Sequence, residues 1–181
     1  MEYKEADIIA SLQNPKTVHQ GFSCIVRKYS EQLYWQIRRM VTDHDDANDI
    51  LQNTFLKAWS GLDNFRGDAR ISTWLYRIAY NECLTFIGKK KAENSISIDA
   101  DEGESDRLEG EEYFNGDRAQ ELLQKAIGTL PPKQRIVFIM KYFEEKKYEE
   151  ISEICGTTVG ALKASYHHAV QKIEKYIEEQ I

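Results

Sequence analysis

A run of acid between Glu93 and Asp117 does most to decide what this chain can fold into. It holds ten acidic residues, Glu93, Asp99, Asp101, Glu102, Glu104, Asp106, Glu109, Glu111, Glu112 and Asp117, against one base, Arg107. The surrounding text, AENSISIDADEGESDRLEGEEYFNG, has three glycines, three serines and no sustained helical period. Such a segment reads as a flexible or extended connector. It divides the 181 residues into two stretches, about 1–92 and 118–181, each the size of a small domain. It also accounts for the formal net charge of −6, because outside it 23 bases face 20 acids, a net of +3. The acidity belongs to the linker, so it does not argue against a nucleic-acid partner for the rest.

Both flanking stretches read as helical. Pro15, Pro131 and Pro132, the three prolines, stand where helices should start or stop. In the first stretch Ile50, Leu51, Phe55, Ala58, Trp59 and Leu62 recur at three- and four-residue steps, the stripe of an amphipathic helix. A second stripe follows in Leu75, Ile78, Ala79, Cys83, Phe86 and Ile87. Opposite it lie Arg77, Tyr80, Asn81 and Thr85, a face that is either an ordinary solvated surface or a surface for nucleic acid. The three lysines at 89–91 add positive charge beside it.

The loop between these helices, GLDNFRGDARIST, carries Phe65, Arg66 and Arg70 between glycines and leads at once to Trp74. Unstacked bases bind aromatic faces and cationic side chains, so this composition suits capture of a single-stranded base. The plainer alternative is a helix connection with Phe65 tucked into the core.

In the second stretch, Pro131 and Pro132 suit a helix's first turn, where their missing N–H groups are no loss. Ile151 and Ile154 then face inward, Gly156 supplies a tight turn, and Thr157 or Thr158 can cap a second helix. Leu162, Tyr166, Ala169, Ile173 and Ile177 form its buried stripe. Helix, glycine turn, helix is the helix-turn-helix layout, from Tyr148 to Val170, in which the start of the second helix enters the major groove. Its outward residues are Thr158, Gly160, Ala161, Lys163, Ala164, Ser165, His167 and His168. Small residues allow close approach, Lys163 can reach phosphate or guanine, and the hydroxyls and imidazoles can hydrogen-bond. The expected fold is therefore all-α: two small helical domains joined by a flexible acidic linker, the second a helix-turn-helix domain.

Other classes find little support. Cys24, Cys83 and Cys155 are odd in number and widely spaced, as three core residues would be, and His19, His44, His167 and His168 form no ligand set. No metal and no cofactor are expected. No phosphate loop or nucleophile arrangement points to an enzyme. No run reaches the roughly 18 apolar residues of a membrane span, and the opening MEYKEADIIASLQNPK has acids where a signal peptide has bases. A cytoplasmic protein without direct membrane insertion is expected.

Four ordered blocks, DDANDILQNTFLKAW, FRGDARISTWLYRIAYNECLTFIGKKK, LPPKQRIVFIMKYFE and YEEISEICGTTVGALKASYHHA, resemble regions two and four of bacterial RNA polymerase sigma factors. The short chain with only an acidic linker between them resembles the extracytoplasmic-function group. The resemblance covers about 20–91 and 118–178. It implies that the helix bearing Asp46, Asp49, Ile50, Gln52, Asn53, Phe55, Leu56 and Trp59 docks on the clamp helices of the polymerase largest subunit. It implies that Phe65, Arg66, Arg70, Trp74, Arg77, Tyr80 and Asn81 melt the minus-ten promoter element and hold a flipped base. The second domain would read the minus-thirty-five element and meet the polymerase flap, the linker would thread towards the active-site and RNA-exit channels, and an anti-sigma factor would hold the protein inactive. Many relatives carry arginines where this chain has Ser165 and His168, so free protein should bind promoter DNA poorly and gain affinity by tethering to core polymerase. A helix-turn-helix repressor with a dimerising or ligand-sensing first domain remains the competing reading; it leaves the Phe65–Trp74 loop and the linker without a task.

Overall fold

A computed structural model describes residues 4–97 and 118–181. The greater part of the acidic linker therefore lies outside the described residues. Among those described, the chain forms eight α-helices and one short 3-10 turn, with no strand. They are α1 (Glu5–Gln13), α2 (Val18–Met40), α3 (His44–Ser60), α4 (Ile71–Ser97), α5 (Arg118–Gly128), α6 (Pro132–Tyr142), α7 (Tyr148–Cys155) and α8 (Val159–Gln180). The 3-10 turn spans Leu62–Asn64.

Local chemistry explains the boundaries. Asp43 caps α3 by accepting from the N–H groups of Asp45 and Asp46, and these bonds hold its carboxyl below the usual range. The first amide of α4, Ile71 N–H, donates 2.8 Å to the carboxylate of Glu5 in α1, so a distant side chain begins this helix. Helix α6 starts at Pro132 with Pro131 as its N-cap. Helix α4 runs to Ser97, five residues past the expected linker boundary at 92, because its 3.6-residue winding continues through LysLysLysAlaGluAsn.

Helices α2, α3 and α4 pack on one another, with α1 laid across α2. Gly21 permits that crossing: a Cβ there would stand 2.8 Å from the Cβ of Ser11. In the second half α8 is the spine, with α5, α6 and α7 against it. The halves also meet each other, α2 against α6 and α4 against α7, and the buried side chains from Ile8 to Ile173 form one hydrophobic cluster.

The seam between the halves is polar as well as apolar. Arg135 of α6 donates to Met40 O at the end of α2 (2.7 Å) and to Gly128 O and Leu130 O of its own half (2.9 and 3.2 Å). Burial pushes its pKa down from the ordinary arginine value. The α6–α7 loop reaches over the first half, with the Arg39 guanidinium 4.6 Å from the Phe143 ring centre and Lys146 Nζ 4.1 Å from that of Tyr76. Glu144 lies partly buried beside them. Lys146 Nζ stands 3.3 Å from a Glu144 oxygen, an ion pair within the loop.

Candidate nucleic-acid and polymerase interfaces

Helix α3 sorts its residues by face. Ala47, Ile50, Thr54 and Ala58 point into the core, which corrects the expectation for Ile50: only 2% of it is exposed, so it supports the exposed face of α3 from beneath. Asp49, Gln52, Asn53, Leu56 and Trp59 are exposed, and Asp46 and Phe55 are half-buried. Leu56 is 64% exposed, an isobutyl group left in water on an otherwise well-packed helix. Trp59 stacks on His19 (centroids 4.9 Å apart) and meets the Phe22 edge at 5.1 Å, so α2 holds the indole in place while leaving a face open. Ion pairs from Lys90 to Asp46 (3.5 Å) and from Lys57 to Glu82 tie both ends of α3 to α4.

The loop after α3 brings Phe65 and Trp74 together as a stacked pair, centroids 4.5 Å apart at 28°. Neither ring is lost to the core; both are half-buried. Gly67 holds φ +77°, a left-handed turn that exposes Arg66 on one side and Asp68 on the other. Arg70 is exposed and stands 4.0 Å from Glu150 of α7.

On α4, Arg77, Asn81 and Thr85 are exposed as the pattern suggested. Tyr80 is not: only 7% is accessible, and burial with the neighbouring Cys155 raises its pKa. The expectation of an outward Tyr80 is therefore corrected. Period alone placed it on the polar side of α4, but α7 packs on that side and covers the ring.

The turn of the helix-turn-helix is built as its residues imply. Gly156 ends α7 in the left-handed region at φ +66°, and its N–H donates to Ser152 O. Ser152 Oγ donates to Thr157 O (2.6 Å), fixing the turn. Thr158, not Thr157, caps α8 by accepting from Ala161 N–H. Leu162, Ala169 and Ile173 are buried, with Tyr166 and Ile177 at the edge of the core. Thr158, Gly160, Ala161, Lys163, Ala164, His167 and His168 are exposed, and Ser165 is half-buried. One helical surface thus presents a cation, two imidazole rings 6.1 Å apart and several small residues, a shape that a groove can approach closely.

Two family models match the chain. The Sigma-70 region 2 family matches residues 25–93, which include α3, the loop and most of α4, and the Sigma-70 region 4 family matches residues 120–173, which include α6, α7 and the first two-thirds of α8. The ECF RNA polymerase sigma factor SigW of Bacillus subtilis is 30% identical over 176 residues, covering 92% of this chain and 94% of that protein. The chain belongs to the extracytoplasmic-function sigma factors. The RNA polymerase sigma-H factor of Pseudomonas aeruginosa is 28% identical over 168 residues, 88% of this chain and 87% of its own. Among solved structures, a Bartonella quintana sigma factor, RpoE, in complex with the anti-sigma factor NepR is similar at TM-score 0.69 and 25% identity over 87% of this chain and 96% of that one. CnrH, solved with the cytosolic domain of CnrY, shares the fold at TM-score 0.69 over 98% and 99% of the two chains, with 19% identity.

As a sigma factor the protein works with core RNA polymerase at promoter DNA. Its geometry adds residues that sequence reading did not single out: Tyr76, Arg135, Glu144 and Lys146. Glu144 and Lys146 sit in a charged loop, EEKK, that looks solvated in sequence, yet both are only partly exposed, with Lys146 over the Tyr76 ring of α4. Arg135 carried a faint signal as a charged residue directly before the buried run Ile136 to Met140. Among the described residues no group of His, Cys, Asp or Glu could hold a metal, and no helix is long and apolar enough to cross a membrane.

Proposed function

We propose that α3 docks on the clamp helices of core polymerase through Asp46, Asp49, Gln52, Asn53, Phe55, Leu56 and Trp59. Phe65, Arg66, Arg70, Trp74, Arg77 and Asn81 then melt the minus-ten element and hold an unstacked base. The exposed start of α8, with Thr158, Gly160, Ala161, Lys163, Ala164, Ser165, His167 and His168, reads the minus-thirty-five element while its half of the chain meets the flap. The observation that carries this reading is that two separate surfaces of opposite character stand on one small chain: an apolar patch at Leu56 and Trp59, and a polar, small-residue surface at the start of α8.

The chemistry fits the division of labour. An unpaired base needs a π face and a cation, and Phe65, Trp74 and Arg66 supply them beside a left-handed glycine. Unstacking costs a few kcal/mol per base, which the capture must offset. Lys163 is the sole lysine or arginine among the exposed α8 residues named, so affinity for the minus-thirty-five element depends on tethering through polymerase. The polymerase makes the bonds; the chain supplies recognition and acts in the cytoplasm. Because solved relatives were captured with anti-sigma factors, we assign this protein an inhibitory partner of that kind.

Run-off transcription with core polymerase, with and without the protein, followed by mapping of the start sites, tests the reading. Promoter-specific starts that require the protein support it. Starts that are unchanged by its addition would sink it.

A further inference from the structure

We propose that α1 positions the base-capturing loop, and that the carboxylate of Glu5 fixes the start of α4 so that Phe65 and Trp74 stand ready as one stacking platform. The inference rests on the reading above that this loop holds an unstacked base.

Helix α1 precedes the residues matched by the Sigma-70 region 2 family, which begin at 25, and it carries none of the residues assigned above to DNA or polymerase. It nevertheless holds the loop at two points. At the first, Ile71 N–H donates 2.8 Å to Glu5 Oε1. At the second, Ile9 lies against Gly67, where an added Cβ would stand 3.5 Å from Ile9 Cγ2. Gly67 is the left-handed turn of the loop, at φ +77°, so α1 supports the chain where it bends. Only Asp68, Ala69 and Arg70 separate the two points.

Glu5 does what a local cap cannot. A helix usually begins with a side-chain acceptor on the preceding residue, but the side chain of Arg70 offers only donors. The Arg70 carbonyl takes the first bond of α4, from Trp74 N–H at 3.0 Å, so Trp74 closes the same turn whose opening amide Glu5 holds. A carboxylate also suits the positive end of the helix dipole. Without that acceptor the turn would fray, and the indole would lose its fixed place on the Phe65 ring, now 4.5 Å away between centroids. Glu5 is itself held in place. It is half-buried; burial raises the pKa of Tyr29 in α2, and the nearby Glu5 charge raises it further. Ile8 anchors α1 in the core at 2% exposure, and Thr17 Oγ donates 2.9 Å to Ser11 O to fix its far end. A platform assembled in advance captures a base more readily, because no ordering cost falls at the moment of capture.

The test uses holoenzyme assembled from core polymerase and the full chain, on the promoter that start-site mapping locates. That promoter is supplied as a duplex and with its minus-ten element premelted by mismatches in the template strand. Glu5→Ala should slow open-complex formation on the duplex about fivefold, the weight of one lost helix cap. Glu5→Gln keeps an acceptor oxygen and should stay within about twofold of wild type. On the premelted promoter, at saturating holoenzyme, both variants should match wild type, because strand separation no longer waits on capture. Rates are taken well below each variant's melting temperature, so that loss of fold does not enter. Three results overturn the proposal: Glu5→Ala as fast as wild type on the duplex, an equal loss on the premelted promoter, or a loss for Glu5→Gln as large as for Glu5→Ala. Phe65→Ala separates the two claims. If the duplex rate survives it, base capture by the loop fails; if that rate falls while Glu5→Ala leaves it intact, positioning by α1 alone fails.

Discussion

The guanidinium of Arg77 and the main-chain carbonyl of Glu153 join the two halves through a pair of hydrogen bonds, 2.7 and 3.1 Å long. The acceptor is backbone, so the side chain of Glu153 is dispensable to the contact. Glu153→Ala should leave hydrogen exchange of the α7 amides unchanged, whereas Arg77→Ala should speed it several-fold. Exchange read by mass spectrometry distinguishes the two, and equal effects would place the bond on the carboxylate instead.

Leu56 contributes little to folding because it is mostly in water. Leu56→Ala should shift the melting temperature by no more than a degree or two while weakening binding to core polymerase about tenfold or more, the behaviour of an interface anchor. Trp59→Ala should lower both, since the indole also stacks on His19 and Phe22. Competition for core polymerase against a labelled sigma factor measures the first quantity and thermal denaturation the second.

Two glycines of the helix-turn-helix should respond oppositely to alanine. Gly156 sits at φ +66°, so Gly156→Ala should destabilise by about 1 kcal/mol. Gly160 lies inside α8 with nothing within 4 Å of an added methyl, and Gly160→Ala should stabilise by about 0.5–1 kcal/mol. Urea denaturation of both variants gives the signs directly.

Lys163 is exposed, its Nζ 5.8 Å from the Tyr148 ring centre. If it meets a phosphate, Lys163→Ala should weaken holoenzyme binding at all promoters alike and reduce the salt slope by about one ion. If the loss instead varies with the base at one promoter position, Lys163 reads sequence.

Stability of the fold should depend on pH through Glu144. Burial raises its pKa above the ordinary carboxylate value, against the lowering pull of Lys146 and Arg39, with Tyr76 also facing it. On unfolding the group regains its ordinary value. Its contribution to stability is therefore fully present below the ordinary value and is lost as pH rises through the raised one. The melting temperature should fall on going up in pH across this window, and Glu144→Gln should flatten the profile.

The helix-turn-helix was legible because its signals are local: Gly156 at a turn, a threonine cap, and Leu162, Ala169 and Ile173 on one face. Helix α3 was nearly as clear, but a stripe of period 3.6 does not say which edge is core, and Ile50 fell inside while Leu56 and Trp59 stayed out. Tyr80 failed for a different reason. Its burial comes from a helix about 70 residues further along the chain, and no window of sequence contains that contact. The start of α4 shows the same limit, for its first amide is held by Glu5 of α1.

Arg77 and Arg135 both grip carbonyl groups across the seam rather than carboxylates. Every residue of a polypeptide carries that carbonyl, so exchanging the side chain at Glu153 or at Met40 leaves the acceptor in place. On its accepting side the seam is therefore indifferent to sequence, and only at the two arginines can a single substitution remove a grip.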